Sequence, residues 1–404
     1  MKLFPNLVHA VVKVLQDIFE NNIQADRAVQ SLLKSNPKWG SRDRRFLADT
    51  TYSVVRWYRF YYEILGNEPT TNEAWWELLG IHWILQNESL PPFQEFSTLD
   101  PELVKSKGEK LSSIRKVKES IPDWLDELGE KELGAEWGEC LKNLNKPQEV
   151  NLRVNTIKSS NNKCITALAD EGHDTTANEN NCLTLNKRAK LSHLKSFQNG
   201  FFEVQDRGSQ LIAPYLNPSP NTYVIDACAG AGGKSLHLAA LMNNKGTLVS
   251  MDIHVFKLKE LLRRAKRARV NIIQTAMINS ETINTYKGKA DYLLLDVPCS
   301  GLGTLKRKPD TKWKLSLEFI DDVKKTQEEL LNSYSSLVKQ GGYMVYATCS
   351  VLPSENQEQI LTFLSSVSGT HFELIKQQTV LPGEKYSDGF FMALLKRKLF
   401  VTNC

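Results

Sequence analysis

Residues 222–235, TYVIDACAGAGGKS, give the strongest indication of the fold. The first half is an apolar run typical of a buried strand, and the second half is a glycine-rich turn that leads into a helix. Three similar runs follow it: GTLVSMDIH (246–254), ADYLLLDVPCS (290–300) and GGYMVYATCS (341–350). Helical stretches lie between the runs at 233–243, 255–269 and 316–339. This alternation predicts an α/β fold, a Rossmann-like, doubly wound and mostly parallel sheet in which ligands bind beyond the carboxyl ends of the strands.

Working outward from this sheet, we predict three domains. Residues 1–125 form a helical domain, because apolar residues recur there at helical spacing. Residues 126–205 form a small α/β segment, and residues 206–404 form the Rossmann-like domain. The run 41–66 interleaves arginines with aromatic residues. It suits either RNA stacking or a helical bundle with an aromatic core. We favour the bundle, because residues 1–150 carry a net charge of −4.

Composition excludes several classes of protein. The 404 residues are 41% hydrophobic and 24% charged, as in a folded globular chain. No run approaches the roughly 18 apolar residues that a membrane helix needs, so no membrane partner is expected. Seven cysteines without a C-x-x-C pair predict free thiols in a reducing cytoplasm. No metal is expected, because no cluster of His and Cys has ligand spacing. Residues 151–404 carry a net charge of +9, which is compatible with a polyanionic partner such as nucleic acid.

The glycine-rich turn allows three kinds of nucleotide site. A phosphate-binding P-loop requires glycine where this chain has Cys228, so that reading fails. A dinucleotide site requires a third glycine where the chain has Ser235, so the match is weak. An S-adenosylmethionine site requires a turn after the first strand and a carboxylate at the end of the second. Asp252 supplies that carboxylate, but it would suit NAD equally well.

Two cysteines stand where strands open into loops. Asp296 and Cys299 follow one apolar run and Cys349 follows another, and a serine comes after each cysteine. The strand-end rule therefore puts both thiols at the cofactor face of the sheet. For the other cysteines outside the turn, the default is a small buried apolar side chain. These are Cys140, Cys164, Cys182 and Cys404.

Several long motifs resemble the Sun/RsmB family of RNA 5-methylcytosine methyltransferases. They are DACAGAGGKS (226–235), DVPCSGLGTLKRKPDTKW (296–313), YATCSVLPSEN (346–356), FFEVQDRGSQLIA (201–213) and DGFFMALLKR (388–397), and they occur in the family's order. The resemblance covers roughly residues 120–400. It implies a methyltransferase domain preceded by a small RNA-binding-type segment. The N-terminal SRDRRFLADTTYSVVRW (41–57) similarly resembles the NusB-like helical domain of ribosomal members of the family.

The resemblance also implies the chemistry. S-adenosylmethionine is the cofactor, Cys349 is the nucleophile that adds to carbon-6 of cytosine, and Cys299 helps to release the product. Asp296 would contact ring nitrogen N3 and the neighbourhood of the cofactor. Asp252 would bind the ribose, and Asn279 stands near the position of an aspartate that contacts adenine in family members. The turn that would hold the methionine part comprises Cys228, Ala229, Gly230, Ala231, Gly232, Gly233 and Lys234.

RNA is the implied partner, with 16S ribosomal RNA the favoured substrate, and the chain is expected to be a monomer. Segment 306–314 follows Cys299 closely and is the better candidate for RNA contact. Its proposed RNA-binding residues are Lys306, Arg307, Lys308, Lys312 and Trp313. Helix 255–269 is also basic, and it is either a solvated surface or a second RNA contact. The competing functions are transfer-RNA methylation, a non-catalytic RNA-binding assembly factor, and a nicotinamide-dependent oxidoreductase.

Overall fold

The computed structural model describes residues 4–383 and 388–399. They divide into two compact units. One contains the described residues up to Lys146 together with Leu305–Ser316. The other contains Pro147–Thr304 and the described residues from Leu317 onward. The helical part thus extends about 20 residues beyond the predicted boundary at 125. The reason is that two further helices, Asp123–Leu133 and Glu136–Leu144, belong to this unit; the fully buried Trp137 of the second packs against Gly129 of the first.

The first unit is helical. Its helices are α1 (Pro5–Phe19), α2 (Ala25–Ser35), α3 (Ser41–Leu65), α4 (Asn72–Leu85), α5 (Pro101–Leu111), α6 (Arg115–Lys118), α7 (Asp123–Leu133) and α8 (Glu136–Leu144). Helix α4 is apolar on nearly every side and therefore lies at the centre of the bundle. Trp75, Trp76 and Trp83 on this helix are each at most 2% exposed. An aromatic core thus forms in this region, as expected for the favoured bundle.

Segment 305–316 packs against these helices although it is distant in sequence. It includes a single helical turn, Thr311–Lys314. The Nζ of Lys312 donates to the carbonyl oxygen of Arg56 at 2.8 Å, and the indole N–H of Trp313 donates to that of Val55 at 2.7 Å. Asp310 accepts the backbone N–H of Ala25 at 2.9 Å. The segment is therefore part of the core of the helical unit.

The second unit begins with a small antiparallel sheet. Its strands are β1 (Asn151–Val154), β2 (Thr175–Ala177), β3 (Cys182–Leu185) and β4 (Phe202–Val204), in the order β2-β3-β1-β4. Helices α9 (Asn161–Asp170) and α10 (Lys195–Gln198) pack against it. Leu152, Cys164, Leu168, Leu183 and Phe202 form its fully buried core. This sheet is the small α/β segment expected from the sequence.

The larger sheet has seven strands and confirms the α/β prediction. The strands are β5 (Thr222–Asp226), β6 (Gly246–Asp252), β7 (Ile273–Met277), β8 (Ala290–Asp296), β9 (Val338–Thr348), β10 (Phe372–Val380) and β11 (Phe390–Arg397). Their order in the sheet is β10-β11-β9-β8-β5-β6-β7. The five strands from β9 onward in this order pair in parallel, whereas β11 pairs antiparallel with both β9 and β10. The strand order reverses between β5 and β8, and such a switch point opens a crevice for ligands.

Helices cover both faces of the larger sheet. They are α11 (Arg207–Leu216), α12 (Gly233–Leu241), α13 (Val255–Ala268), α14 (Ser280–Tyr286), α15 (Leu317–Tyr334) and α16 (Gln357–Ser365). Two buried clusters lie against the sheet, one centred on Leu293, Met344 and Phe391 and the other on Val224, Leu248 and Met392. Within the described part of the chain, no helix is long and apolar enough to cross a membrane.

Three cysteines predicted to be small buried side chains are confirmed as such. Cys140, Cys164 and Cys182 are each at most 4% exposed. Burial raises the pKa of the Cys140 and Cys164 thiols to about 12 and that of Cys182 to about 11, so these thiols stay protonated and inert. Cys404 lies outside the described residues.

Candidate active site

The glycine-rich turn between β5 and α12 has a backbone that only glycine adopts easily. Gly230 and Gly232 have φ angles of +54° and +85°. A Cβ on Gly232 would lie 2.4 Å from Cγ of Leu261, so a side chain there would also collide with α13. The turn therefore needs glycine for two reasons, conformation and close packing. The result is an open cradle of backbone at the end of β5.

Asp252, at the end of β6, ties this turn to the next strand. One carboxylate oxygen accepts the N–H of Gly230 at 3.0 Å and the other accepts the N–H of His254 at 2.8 Å. Each oxygen has a second lone pair, so the carboxylate can still accept hydroxyl donors. A carboxylate held beside a glycine cradle fits a cofactor that carries a ribose. The residues present thus suit S-adenosylmethionine.

Asn279 lies at the start of α14, directly after β7. Its side-chain oxygen accepts the N–H of Thr282 at 2.8 Å and the hydroxyl of Thr282 at 2.7 Å, so it caps the helix. The residue is exposed. Its contact with adenine stays a prediction.

Cys299 and Cys349 meet where β8 and β9 end. Their Sγ atoms are 3.2 Å apart, and the backbone N–H of Cys349 donates to Sγ of Cys299 at 3.3 Å. The hydrogen bond with Cys349, burial and the nearby charges raise the pKa of Cys299 well above its usual range. The raised pKa keeps the proton on Cys299, so this thiol can donate a hydrogen bond to Sγ of Cys349.

Lys234 and Asp296 form an ion pair beside these thiols. The Nζ of Lys234 is 2.5 Å from Oδ2 of Asp296. Burial lowers the pKa of Lys234, but attraction to Asp296 and to Cys349 outweighs it and raises the pKa overall. The same attraction favours a thiolate on Cys349. Lys234 thus connects Asp296 and Cys349, whereas the sequence placed it only in the cofactor turn.

Two arginines that the sequence reasoning missed hold the turn from behind. Arg153 of β1, 3% exposed, donates to the carbonyl oxygen of Gly233 at 2.7 Å. Arg264 of α13 donates to the carbonyl oxygen of Ala231 at 2.8 Å. Arg264 also pairs with Glu203 of β4 at 2.8 Å. Because strand-like alternation makes Arg153 an ordinary polar position, only its burial could have revealed this role.

Known proteins resemble this chain over nearly its whole length. A family described as "16S rRNA methyltransferase RsmB/F" matches residues 213–396, and its "ferredoxin-like domain" matches residues 121–192. The "Probable ribosomal RNA small subunit methyltransferase B" of Synechocystis is 31% identical over 95% of this chain and 98% of its own length. The "Ribosomal RNA small subunit methyltransferase B" of Proteus mirabilis is 33% identical over 69% of this chain and 66% of its own.

The chain belongs to the RsmB/F methyltransferase family. The family resemblance inferred from the motifs is thereby confirmed, and S-adenosylmethionine is the methyl donor of this family. Two solved structures share the fold. The protein PH0851 has a TM-score of 0.80 at 24% identity and covers 98% of this chain and 100% of its own. NSun6 from Pyrococcus horikoshii, solved with the S-adenosylmethionine analogue SFG, has a TM-score of 0.63 at 21% identity, covering 69% of this chain and 99% of its own.

The basic segment 306–314 needs a correction. Lys306 and Lys312 are 6% and 1% exposed, and Trp313 is half-buried in the helical unit. The structure therefore does not present the side chains of Lys306 and Lys312 to solvent, and it leaves Trp313 only partly accessible. Arg307 and Lys308 are exposed and remain candidates for RNA contact.

Helix α13 keeps several cations at its surface. Lys259, Arg263, Lys266 and the following Arg269 are exposed. Arg264 and Arg267, by contrast, pair with Glu203 at 2.8 and 2.5 Å and join α13 to the small sheet. The basic ridge expected from the sequence therefore has two parts, one structural and one open to solvent. Across residues 4–383 and 388–399, no cluster of His, Cys, Asp or Glu is arranged to hold a metal ion.

Proposed function

We propose that this protein transfers a methyl group from S-adenosylmethionine to carbon-5 of a cytosine in RNA, through a covalent bond between Cys349 and carbon-6. The observation that carries the proposal is the pair of thiols 3.2 Å apart beside the ion pair of Lys234 and Asp296. An RNA-binding factor or a nicotinamide oxidoreductase has no use for this arrangement. Relatives named for methylation of small-subunit ribosomal RNA support that RNA as the substrate.

Each side chain has a task in this reaction. The Cys349 thiolate, favoured by Lys234, adds to carbon-6 and makes carbon-5 nucleophilic. Asp296, paired with Lys234, would hydrogen-bond N3 and its neighbours in the ring. The backbone of turn 228–234 and the carboxylate of Asp252 would hold S-adenosylmethionine, which supplies an electrophilic methyl group when bound. Asn279 would contact its adenine.

Release of the product follows from the different states of the two thiols. While Cys349 is ionised, the hydrogen bond to it keeps the proton on Cys299. Once Cys349 is bonded to carbon-6, it no longer carries that charge, and Cys299 can lose its proton to solvent and become a thiolate. Cys299 is then able to accept the proton of carbon-5, while Cys349 leaves as a thiolate and the carbon-5–carbon-6 double bond returns. Replacing Cys299 should therefore stop the reaction at the covalent stage.

The test is transfer of labelled methyl from S-adenosylmethionine to ribosomal and transfer RNA, followed by nucleoside analysis. The proposal predicts label in 5-methylcytosine of small-subunit ribosomal RNA. Cys349→Ser should abolish transfer while binding of S-adenosylmethionine is retained, and Cys299→Ala should accumulate a covalent protein–RNA complex. Label in transfer RNA alone would keep the chemistry and change the substrate. Full turnover by Cys349→Ser would show that Cys349 is not the nucleophile.

A further inference from the structure

A buried carboxylate lies near the two thiols and accepts hydrogen bonds from the residues that follow them. Glu355 is in a 3-10 turn, Pro353–Glu355, and is 0% exposed. Its Oε1 accepts the hydroxyls of Ser300 and Ser350, each at 2.5 Å. Its Oε2 accepts the backbone N–H of Ser300 at 2.7 Å and the side-chain amide of Gln327 at 3.1 Å. Four donors thus satisfy this one side chain.

The two serines are the residues that directly follow the two cysteines. Ser300 comes after Cys299 at the end of β8, and Ser350 comes after Cys349 at the end of β9. Their hydroxyls are 3.2 Å apart, matching the 3.2 Å between the two Sγ atoms. Both serines are at most 4% exposed, so water does not compete for these hydrogen bonds. One carboxylate therefore joins two loops that are 50 residues apart in sequence.

The turn that carries Glu355 is itself held in place. The hydroxyl of Tyr346, on β9, donates to the carbonyl oxygen of Glu355 at 2.7 Å. The next residue, Asn356, accepts the hydroxyl of Thr348 at 2.6 Å and donates to the carbonyl oxygen of Ser350 at 3.2 Å. Glu355 is thus fixed relative to β9, and its hydrogen bonds with Ser300 hold the end of β8 in the same arrangement.

We propose that Glu355 is a positioning residue: it holds Cys299 and Cys349 in contact through Ser300 and Ser350. The proposal rests on the proposed roles of the two cysteines, because only a reaction that uses both thiols in turn needs them at a fixed separation. Buried hydrogen-bond networks that are fully satisfied specify one geometry, and removal of the shared acceptor leaves several donors without a partner. Loss of Glu355 should therefore let the two loops move apart.

The first measurement reports thiol geometry without RNA or cofactor. Phenylarsine oxide condenses with two adjacent thiols: two S–H bonds break, two As–S bonds form, and the arsenic oxygen leaves as water. The full-length protein should bind it through Cys299 and Cys349, with Cys299→Ala giving the background. Glu355→Gln should weaken binding of phenylarsine oxide about 10-fold, because Ser300 and Ser350 lose their shared charged acceptor and the two thiols are no longer held together. Glu358→Gln, an exposed glutamate three residues away, is the matched control and should bind normally.

The second measurement is steady-state methyl transfer by the same variants. Glu355→Gln should lower kcat about 10- to 100-fold, the cost of misplacing a reacting group by about 1 Å, and leave KM for S-adenosylmethionine unchanged. Ser350→Ala should give a smaller loss in the same direction. In the double variant, Ser350→Ala should lower kcat by a smaller factor than it does alone, because both changes break the same hydrogen-bond network.

The outcomes separate the two proposals. If Glu355→Gln binds phenylarsine oxide and turns over like Glu358→Gln, the positioning role is wrong. If Glu355→Gln lowers the melting temperature and weakens cofactor binding together with the fall in kcat, its effect is general destabilisation. The proposal is then also overturned. If the arsenical binds as expected but no variant, nor the parent protein, methylates RNA, the proposed function fails while the positioning of the thiols stands.

Discussion

Segment 306–314 and helix α13 are both rich in lysine and arginine, but the structure uses their cations differently. In the segment, Lys312 is buried and donates to a backbone carbonyl of α3. In the helix, Lys259 and Lys266 face solvent. A run of positive charge in a sequence therefore does not identify a nucleic-acid surface. A lysine or arginine is available to nucleic acid only where the fold does not use it in an internal hydrogen bond, as the carbonyl of Arg56 uses Lys312.

The largest expected effect is a loss of stability when a lysine is replaced by glutamate in segment 306–314. The same replacement in helix α13 is the comparison. Lys312→Glu would place a carboxylate against the carbonyl oxygen of Arg56, and we expect the free energy of unfolding to fall by about 3–5 kcal/mol. Lys259→Glu, on the exposed face of α13, should change it by less than about 0.5 kcal/mol. Urea unfolding of both full-length variants measures the difference. Equal stabilities would show that Lys312 is not buried in solution.

The next effect is on RNA binding. Lys259→Gln together with Lys266→Gln should weaken binding to ribosomal RNA about 10-fold and reduce the slope of log K against log salt by about 2, if each lysine contacts one phosphate. The control is Lys324→Gln with Lys325→Gln on α15, which removes the same charge elsewhere in this unit. Fluorescence anisotropy over a salt series gives both quantities. The same loss in both double variants would assign the effect to net charge and not to α13.

The smallest effect is a pH dependence of stability. Burial and the nearby Arg56 charge hold the pKa of Lys312 well below its usual range. Between that lowered pKa and the ordinary value near 10.4, the unfolded chain binds the extra proton, so stability rises with pH. The parent protein should gain melting temperature relative to Lys312→Met between pH 7 and about 9.5. A constant difference across that range would contradict the lowered pKa.

The placement of side chains at the strand ends was largely predictable from the sequence. Cys299, Cys349 and Asp296 stand at the ends of apolar runs, and parallel strands bring their carboxyl ends to one edge. The glycine-rich turn was also predictable, whereas the close packing of Gly232 against Leu261 is seen only in the structure. The burial of Lys312 and the bonds from Arg153 to the turn were not predictable. Each depends on a partner that lies more than 70 residues away.

The succession of strands and helices, the glycine-rich turn and the two thiols at strand ends all follow from the sequence, because they depend on local pattern and on the geometry of parallel sheets. Three features depend on the folded chain: which cations reach the surface, the ion pair of Lys234 with Asp296, and the link that Glu355 makes between the two Cys-Ser pairs. The physical reason is that a buried polar group must find a partner, and that partner can come from any part of the folded chain.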